Sequence, residues 1–348
     1  MDLNNISIHS ACDIDSTLLM DFFRKAFPER FDSLCANWKW LYHSAFYDDK
    51  IPLVVVHDNK VIAFFGMIPF KIHVLENTLN SGFLMDFFVL PEYRRMGLGG
   101  VLTSEYQRLC DVLIGLIGNE KSINHLKKYG FDEVSGTYMH LIFIKPFNYP
   151  GFNKKVPVFL RKILNIASLP FYLLTYNITS YSKTDFKIER FSETGFRDFT
   201  RFYESSDKAL SNKISPARDS DYVSWRIFNS PRLKNYYLYK TPSFHALIAL
   251  QGDAVNSIDV LWVTDTSNKT EIKKMLATLG IYAAKNKISY LRFYTNNHNI
   301  SGYIKSRLFS CVRHPRFVYY SGACHMVEHM DKPEWDFQLI DTDFEHAV

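Results

Sequence analysis

The residues best placed to do chemistry stand in one short run, Arg94-Arg95-Met96-Gly97-Leu98-Gly99-Gly100, just after an apolar stretch that stops at Pro91. Glycines at 97, 99 and 100 let the backbone approach a ligand closely and adopt conformations that a Cβ forbids. A helix opening at Leu98 would turn its free N–H groups toward an anion, helped by the positive end of the helix dipole. Arg94 and Arg95 add charge, and the whole suits a pyrophosphate. The run lacks the Gly-Lys-Ser/Thr ending of triphosphate loops and is not GxGxxG, which disfavours ATP and dinucleotides.

Two further groups could act near such a loop. Asp86 is a lone carboxylate between Met85 and Phe87, costly to bury without a task or a partner. It is the candidate general base; a hydrogen-bonded structural carboxylate, or a chain of waters with no dedicated base, fits equally. Trp38, Trp40 and Tyr42 could form an aromatic platform for a sugar or base ring, or could pack a helix onto a sheet.

The run from Phe83 to Leu102, with Val89, Pro91, Glu92, Tyr93, Arg94, Gly97 and Gly99 in place, resembles motif A of the GNAT acetyltransferases. Asn119-Glu-Lys-Ser122 followed by Lys128-Tyr129-Gly130-Phe131 resembles their motif B. The resemblance implies acetyl-CoA as the cofactor. It implies that backbone groups near Phe87 and Val89 pair with the pantetheine arm, and that the Val89 amide faces the acetyl carbonyl. Amides of Arg95, Met96, Gly97, Leu98 and Gly99, with Arg94 and Gly100 beside them, would hold the pyrophosphate. Asn119, with Ser122 in the same motif, would contact the pantetheine or the thiol. One position departs: many members protonate the leaving thiolate with a tyrosine four residues before the Gly-Phe pair, and Leu126 stands there. His125 and Tyr129 are the substitute acids, although neighbours on a helix point about 100° apart.

Tandem GNAT proteins with a helix end like WKWLY and a motif B reading N-x-x-S resemble sugar N-acetyltransferases of bacterial surface-polysaccharide pathways. That implies acetyl transfer to the amine of a dTDP- or UDP-linked amino sugar. An aminoacyl- or peptide-type N-acyltransferase is the alternative, but the sequence shows neither a basic channel nor a coiled-coil insertion. A non-catalytic CoA-binding interaction protein is the other.

The elements that must carry these residues alternate helix and strand. Periodicity predicts helices over Leu18–Phe27 and Phe31–Tyr42 and strands over Ile51–Val56 and Val61–Val74. A turn is expected at Asn77–Gly82, then a strand to Leu90, a helix from Leu98 and strands near Val112 and Tyr138. The order recurs downstream. Trp40 pairs with Trp225, Val89 with Val263, and Asn119, Lys127 and Phe131 with Asn297, Lys305 and Phe309. The fold expected is therefore α/β, of the α+β GNAT type: two tandem domains with mixed, mostly antiparallel sheets. The boundaries are 1–145 with the acetyl-CoA site, a connector over 146–183, and a degenerate domain over 184–348. Glu271 and Lys273 fall at the positions of Gly97 and Gly99, so the second copy lacks the pyrophosphate loop and one CoA per chain is expected.

Composition sets the outer limits. The 348 residues suit about two domains, with 47% apolar and 22% charged residues, ordinary for a globular chain. A net charge of +5 without basic stripes gives no sign of a nucleic-acid partner. Five cysteines in no metal-binding spacing argue for a reducing compartment and against a metal site. The N-terminus lacks a secretory pattern, so a cytoplasmic location is expected. Val156–Tyr176 is apolar, but Arg161, Lys162, Asn165 and Pro170 interrupt it, and it reads as an interdomain helix with a membrane role disfavoured. The second half is then free to shape the acceptor pocket or a subunit interface, and the partners expected are a small-molecule substrate and, through such an interface, a second copy in a homodimer.

Overall fold

A computed structural model describes residues 5–42, 51–149, 156–175, 187–207, 213–251, 257–286, 288–307, 310–322 and 334–341. Phe309, Cys324 and much of the expected connector lie outside them.

The first sheet begins at β1 (Ile6–Ser10). Helix α1 (Ser16–Ala26) follows, capped by the Asp15 side chain, which accepts from the Thr17 N–H. Its Leu19, Phe22, Phe23 and Ala26 are buried, the i, i+3, i+4, i+7 stripe that lays a helix on a sheet. Helix α2 (Phe31–Tyr42) leads into a meander of β2 (Leu53–His57), β3 (Lys60–Val74) and β4 (Asn77–Val89). The turn expected at Asn77–Gly82 is strand. The chain reverses earlier, at Leu75, whose φ is 56°, and Asn77 to Ser81 pair with Val74 to Phe70. That polar run is mostly exposed at the far end of the ribbon, so its composition imitated a loop.

After β4 come α3 (Leu98–Leu109), β5 (Val112–Ile117), α4 (Glu120–Lys127), β6 (Asp132–Val134) and β7 (Tyr138–Phe143). Helix α5 (Val158–Thr175) connects to the second half. There β8 (Lys187–Arg190), α6 (Glu193–Asp207) and β9 (Lys213–Pro216) precede the short helix α7 (Ser220–Val223), which runs on into a π-helical turn, Ser224–Phe228. Then come β10 (Tyr236–Thr241), β11 (Phe244–Gln251), β12 (Ser257–Val263), α8 (Lys269–Lys285), β13 (Tyr290–Thr295) and α9 (His298–Lys305). The chain closes with β14 (Ser310–Arg313), β15 (Arg316–Ser321) and β16 (Glu334–Trp335).

The sheets exchange strands. The first runs β1-β2-β3-β4-β5-β15-β6 and the second β14-β7-β13-β12-β11-β10-β8. Within these two runs β4·β5 and β12·β13 are parallel and the other pairs antiparallel. This is the mixed, mostly antiparallel tandem architecture expected. Strand β7 of the first half enters the second sheet, pairing Tyr138–Phe143 with Thr295–Tyr290. Strand β15 of the second half enters the first, pairing Arg316–Ser321 with Ile117–Val112. The two events are copies of one another: strand starts differ by 178 in both partners (316 − 138 and 290 − 112). Arg316 carries the exchange to the helix beside it, pairing with Glu120 of α4 and Glu133 of β6.

A second contact has the same symmetry. Trp40 and Trp225 stack at 5.8 Å with ring planes 25° apart. Trp40 Nε1 donates to the Trp225 carbonyl at 2.9 Å, and Trp225 Nε1 donates to the Trp40 carbonyl at 2.7 Å. Reciprocal contacts of this kind are what a two-fold axis generates, and here the axis relates the halves of one chain. Among the described residues no helix is long and apolar enough to cross a membrane.

The exchanged strand β7 carries His140, which is fully buried with neither ring nitrogen hydrogen-bonded. Burial, with Lys305 and His314 nearby, pushes its pKa down to about 3. The folded state thus refuses a proton that the unfolded chain accepts at about 6.5. The stability is complete above the unfolded value and is lost progressively as pH falls toward about 3, at up to about 1.4 kcal/mol per pH unit from this residue. Replacing His140 with leucine should flatten this acid limb, read by urea unfolding across the window.

Candidate active site

The site is a place where two strands part. β4 and β5 pair only from Ser81–Leu84 against Val112–Gly115, and beyond those residues a gap opens. The cause lies on the other edge of β4. Met85 is opposite Gly66 and Phe88 opposite Phe64, so Asp86 and Phe87 together face Phe65 in a β-bulge, which bends a strand and sharpens its twist. Asp86 takes a φ of 50° there, an uncommon conformation for a residue with a Cβ. Its carboxylate holds the bend. Arg30 Nη1 donates to Oδ1 at 2.5 Å and Tyr42 Oη to Oδ2 at 2.8 Å, with the Asp86 side chain 3% exposed.

Past the gap, Pro91 ends the strand and the loop begins. Arg94 turns back to donate from Nε to the Val89 carbonyl at 3.1 Å and lies over the Phe88 ring. Arg95 and Gly97 have φ of 71° and 78°. The first turn of α3 closes with the N–H groups of Gly100 and Val101 donating to the Gly97 carbonyl at 2.9 and 3.2 Å. The amides of residues 96 to 99 stand ahead of that turn, where helical N–H groups have no intrahelical acceptor. Close packing puts them there. A Cβ on Gly99 would lie 2.7 Å from Phe87 Cζ, and one on Gly100 only 1.7 Å from Tyr129 Oη.

Two cavities meet at Phe87. The larger, of about 560 Å³, is lined by Phe87, Val89, Arg94, Arg95, Gly97, Leu98, Gly99 and Gly100 among the expected residues, with His125 and Tyr129 on its far wall. The smaller, of about 120 Å³, lies in the gap between β4 and β5 and is lined by Asp86, Phe87, Asn119, Ser122 and Leu126 among others. Asn119 also caps α4, its Oδ1 accepting from the Ser122 N–H at 2.9 Å. Met96 packs against the core and lines neither cavity.

The structure places several expected residues differently. His125 stacks on Phe87 at 5.6 Å and lies 4.9 Å from the Tyr129 ring, and Tyr129 presses on Gly100. Both line the larger cavity and neither lines the smaller one, so neither faces the smaller cavity as an acid. Burial lowers the His125 pKa, a Gly99 backbone hydrogen bond opposes this, and Lys128 adds to it. Trp40 is 9% exposed and Tyr42 fully buried. The aromatic platform is instead an internal contact: Trp40 meets Trp225 at the two-fold axis and Tyr42 holds Asp86. The late residue Asp341 is internal as well, paired to the buried Arg218 at 2.5 Å. Lys128 and Tyr93 also line the larger cavity; the sequence motifs include both but assign neither a contact with the cofactor. Lys128 sits beside the Tyr-Gly-Phe signature, and its one-residue step from Tyr129 was the available signal.

The second half closes the corresponding place. Glu271, at the position of Gly97, is 8% exposed and bonds to Thr241 and Lys274. Val263, at the position of Val89, has its N–H and carbonyl taken by the Gln338 side-chain amide at 2.6 and 3.1 Å. Gln338 therefore occupies both backbone groups of Val263, whereas in the first half Arg94 holds the Val89 carbonyl and Val89 lines the larger cavity.

The family model that describes the acetyltransferase (GNAT) family matches residues 16–131, from α1 through the loop to Phe131. This segment is a GNAT acetyltransferase domain. The chain is accordingly an enzyme of acyl transfer. Similar solved structures include a GCN5-related N-acetyltransferase from Kribbella flavida, at 13% identity and a TM-score of 0.58, over 90% of this chain and 70% of that one. Another from Anabaena variabilis has 10% identity, a TM-score of 0.58 and coverages of 91% and 72%. The Saccharomyces cerevisiae N-myristoyltransferase with bound myristoyl-CoA and inhibitors has 11% identity, a TM-score of 0.56 and coverages of 92% and 80%. At these identities the likeness is one of fold. No curated protein matches the chain in sequence. GNAT proteins use acyl-CoA, and the residues of the first half fit one: Gly97, Leu98 and Gly99 at the opening of α3 line the larger cavity with Arg95 and Lys128 beside them, and a smaller cavity lies between β4 and β5.

Gly97→Glu copies the second half into the GNAT loop. A Cβ at Gly97 meets nothing within 4 Å, so the fold should persist, with some strain from the positive φ. The carboxylate would face the cavity, and CoA affinity measured by calorimetry should fall at least about a hundredfold, roughly 2.7 kcal/mol.

Proposed function

We propose that the enzyme transfers an acetyl group from acetyl-CoA to the amine of a nucleotide-linked amino sugar, by direct attack through a tetrahedral intermediate. The observation that carries the acyl-transfer part is the smaller cavity. It opens beside the bulge, next to backbone groups that β5 does not pair, and extends the larger cavity past Phe87. Its 120 Å³ is well below the roughly 300–1,000 Å³ of sites that enclose a larger ligand, which favours a short acyl group over a long one.

In this reading the larger cavity takes the pyrophosphate on the amides of residues 96 to 99, with Arg95 and Lys128 supplying charge. Phe87 borders both cavities whereas Val89 borders only the larger. The amide that faces the developing oxyanion is then that of Phe87 rather than Val89. The acceptor amine forms the new C–N bond as the C–S bond breaks, and one proton passes from nitrogen to sulfur. Leu126 contributes no acid, so Asn119 and Ser122, whose side chains line the same cavity, are the groups left to hydrogen-bond the departing sulfur. Asp86 positions the bulge through Arg30 and Tyr42; with each carboxylate oxygen already accepting from one of these donors, the amine loses its proton through water. The two halves, 1–145 and 184–348 joined by 146–183, then divide the work: the first binds the donor and the second shapes the acceptor side. The amino-sugar acceptor itself rests on the sequence resemblance.

The test is release of free thiol from acetyl-CoA in the presence of dTDP- and UDP-amino sugars, simple amines and peptides. Thiol release that needs a nucleotide amino sugar is expected, with long-chain acyl-CoA a poor donor. Equal turnover of peptides, or of a long-chain donor, would replace this reading with the peptide-type alternative.

A further inference from the structure

Helix α5 faces the wrong way for a helix that belongs only to its own protein. Its inner face is polar or lightly polar and firmly held. Asn165 Nδ2 donates to Asn148 Oδ1 at 2.8 Å while Asn165 Oδ1 accepts from the Phe147 N–H at 3.0 Å. Tyr172 is fully buried and fits over Gly280 of α8, where a Cβ would come within 2.0 Å of its hydroxyl. Phe159, Ile163 and Ile166 lie on the opposite side, at the i, i+4, i+7 spacing of one helix face. They are 69%, 58% and 74% exposed, and Val158 beside them is 66% exposed. Among the described residues eight large apolar side chains are exposed, and five fall between Val158 and Ile166. That is a patch rather than scatter, and such patches mark contact sites.

The charge of the sequence on either side of the patch selects its partner. From residue 134 to residue 184 the sequence contains no aspartate or glutamate and six basic residues, Lys145, Lys154, Lys155, Arg161, Lys162 and Lys183. A second copy of the chain would bring Lys162 against its own kind. We propose that α5 is an interfacial anchor that seats the enzyme on an anionic phospholipid surface, with Phe159, Ile163 and Ile166 entering the acyl boundary and Lys162 meeting headgroup phosphates. Such helices lie in the interface plane and bind through apolar area and basic charge together. Asn165, Ser168 and Tyr172, turned inward, keep α5 fixed to the protein while its outer face is immersed. The patch shares no residue with the donor site, so its partner is independent of the choice of acceptor.

The experiment is co-sedimentation of the full chain with phosphatidylglycerol–phosphatidylcholine vesicles and with pure phosphatidylcholine vesicles. Binding to the anionic vesicles is expected, weakening as salt rises. Ile163→Ser with Ile166→Ser, and separately Lys162→Glu, should each reduce it roughly tenfold or more with CoA binding unchanged. Because these side chains are exposed, unchanged CoA binding also reports that the variants fold. Equal partition of all the proteins, no partition onto anionic vesicles, or a concentration-dependent dimer abolished by the double serine variant would overturn the proposal.

Discussion

The structure turns on a gap that a strand cannot close. Over four residues β4 and β5 share a ladder, and then Asp86 takes a positive φ and β4 bends away. Backbone polar groups that lose a neighbour must find another partner. In the second half Gln338 serves both backbone groups of Val263, whereas in the first half Arg94 takes the Val89 carbonyl and Val89 borders a cavity. The ion pair of Asp86 with Arg30 matters because it fixes that bend from outside the gap. Arg30 comes from the turn just before α2 and Tyr42, on the other carboxylate oxygen, from its last residue, so the helix packed on the sheet also sets the shape of the site.

Duplication explains how the rest is arranged around that gap. Each half offers its last long strand to the other sheet, and each places a tryptophan at the axis between them. Neither half completes its sheet alone, because β15 separates β5 from β6 and β7 separates β13 from β14. One copy could then lose its phosphate loop without loss of the fold: Glu271 is absorbed by Thr241 and Lys274, and the tail fills the cleft. The result is a chain built from two similar units, of which the first keeps the glycine-rich loop.

Much of this could be read from the residues in order. The glycines at 97, 99 and 100 and the proline at 91 act locally, through backbone conformation and close approach, so the loop and its helix were legible. The pairing of Trp40 with Trp225 was legible as a repeat, but the contact between them was not, because symmetry in sequence does not say where an axis passes. The same holds for β7 and β15, whose apolar patterns fit either sheet. Asp86 read as a base because its partner Arg30 lies 56 residues away. His125 and Tyr129 read as acids because helical spacing gives direction around an axis but not which side of Phe87 a side chain reaches.

A crystal structure of the chain with acetyl-CoA tests the central claim most directly. The account expects one donor molecule per chain, with its diphosphate on the amides of residues 96 to 99 and its pantetheine running past Phe87 into the gap between β4 and β5. A diphosphate seated elsewhere, or a second molecule displacing Gln338 from Val263, would contradict it.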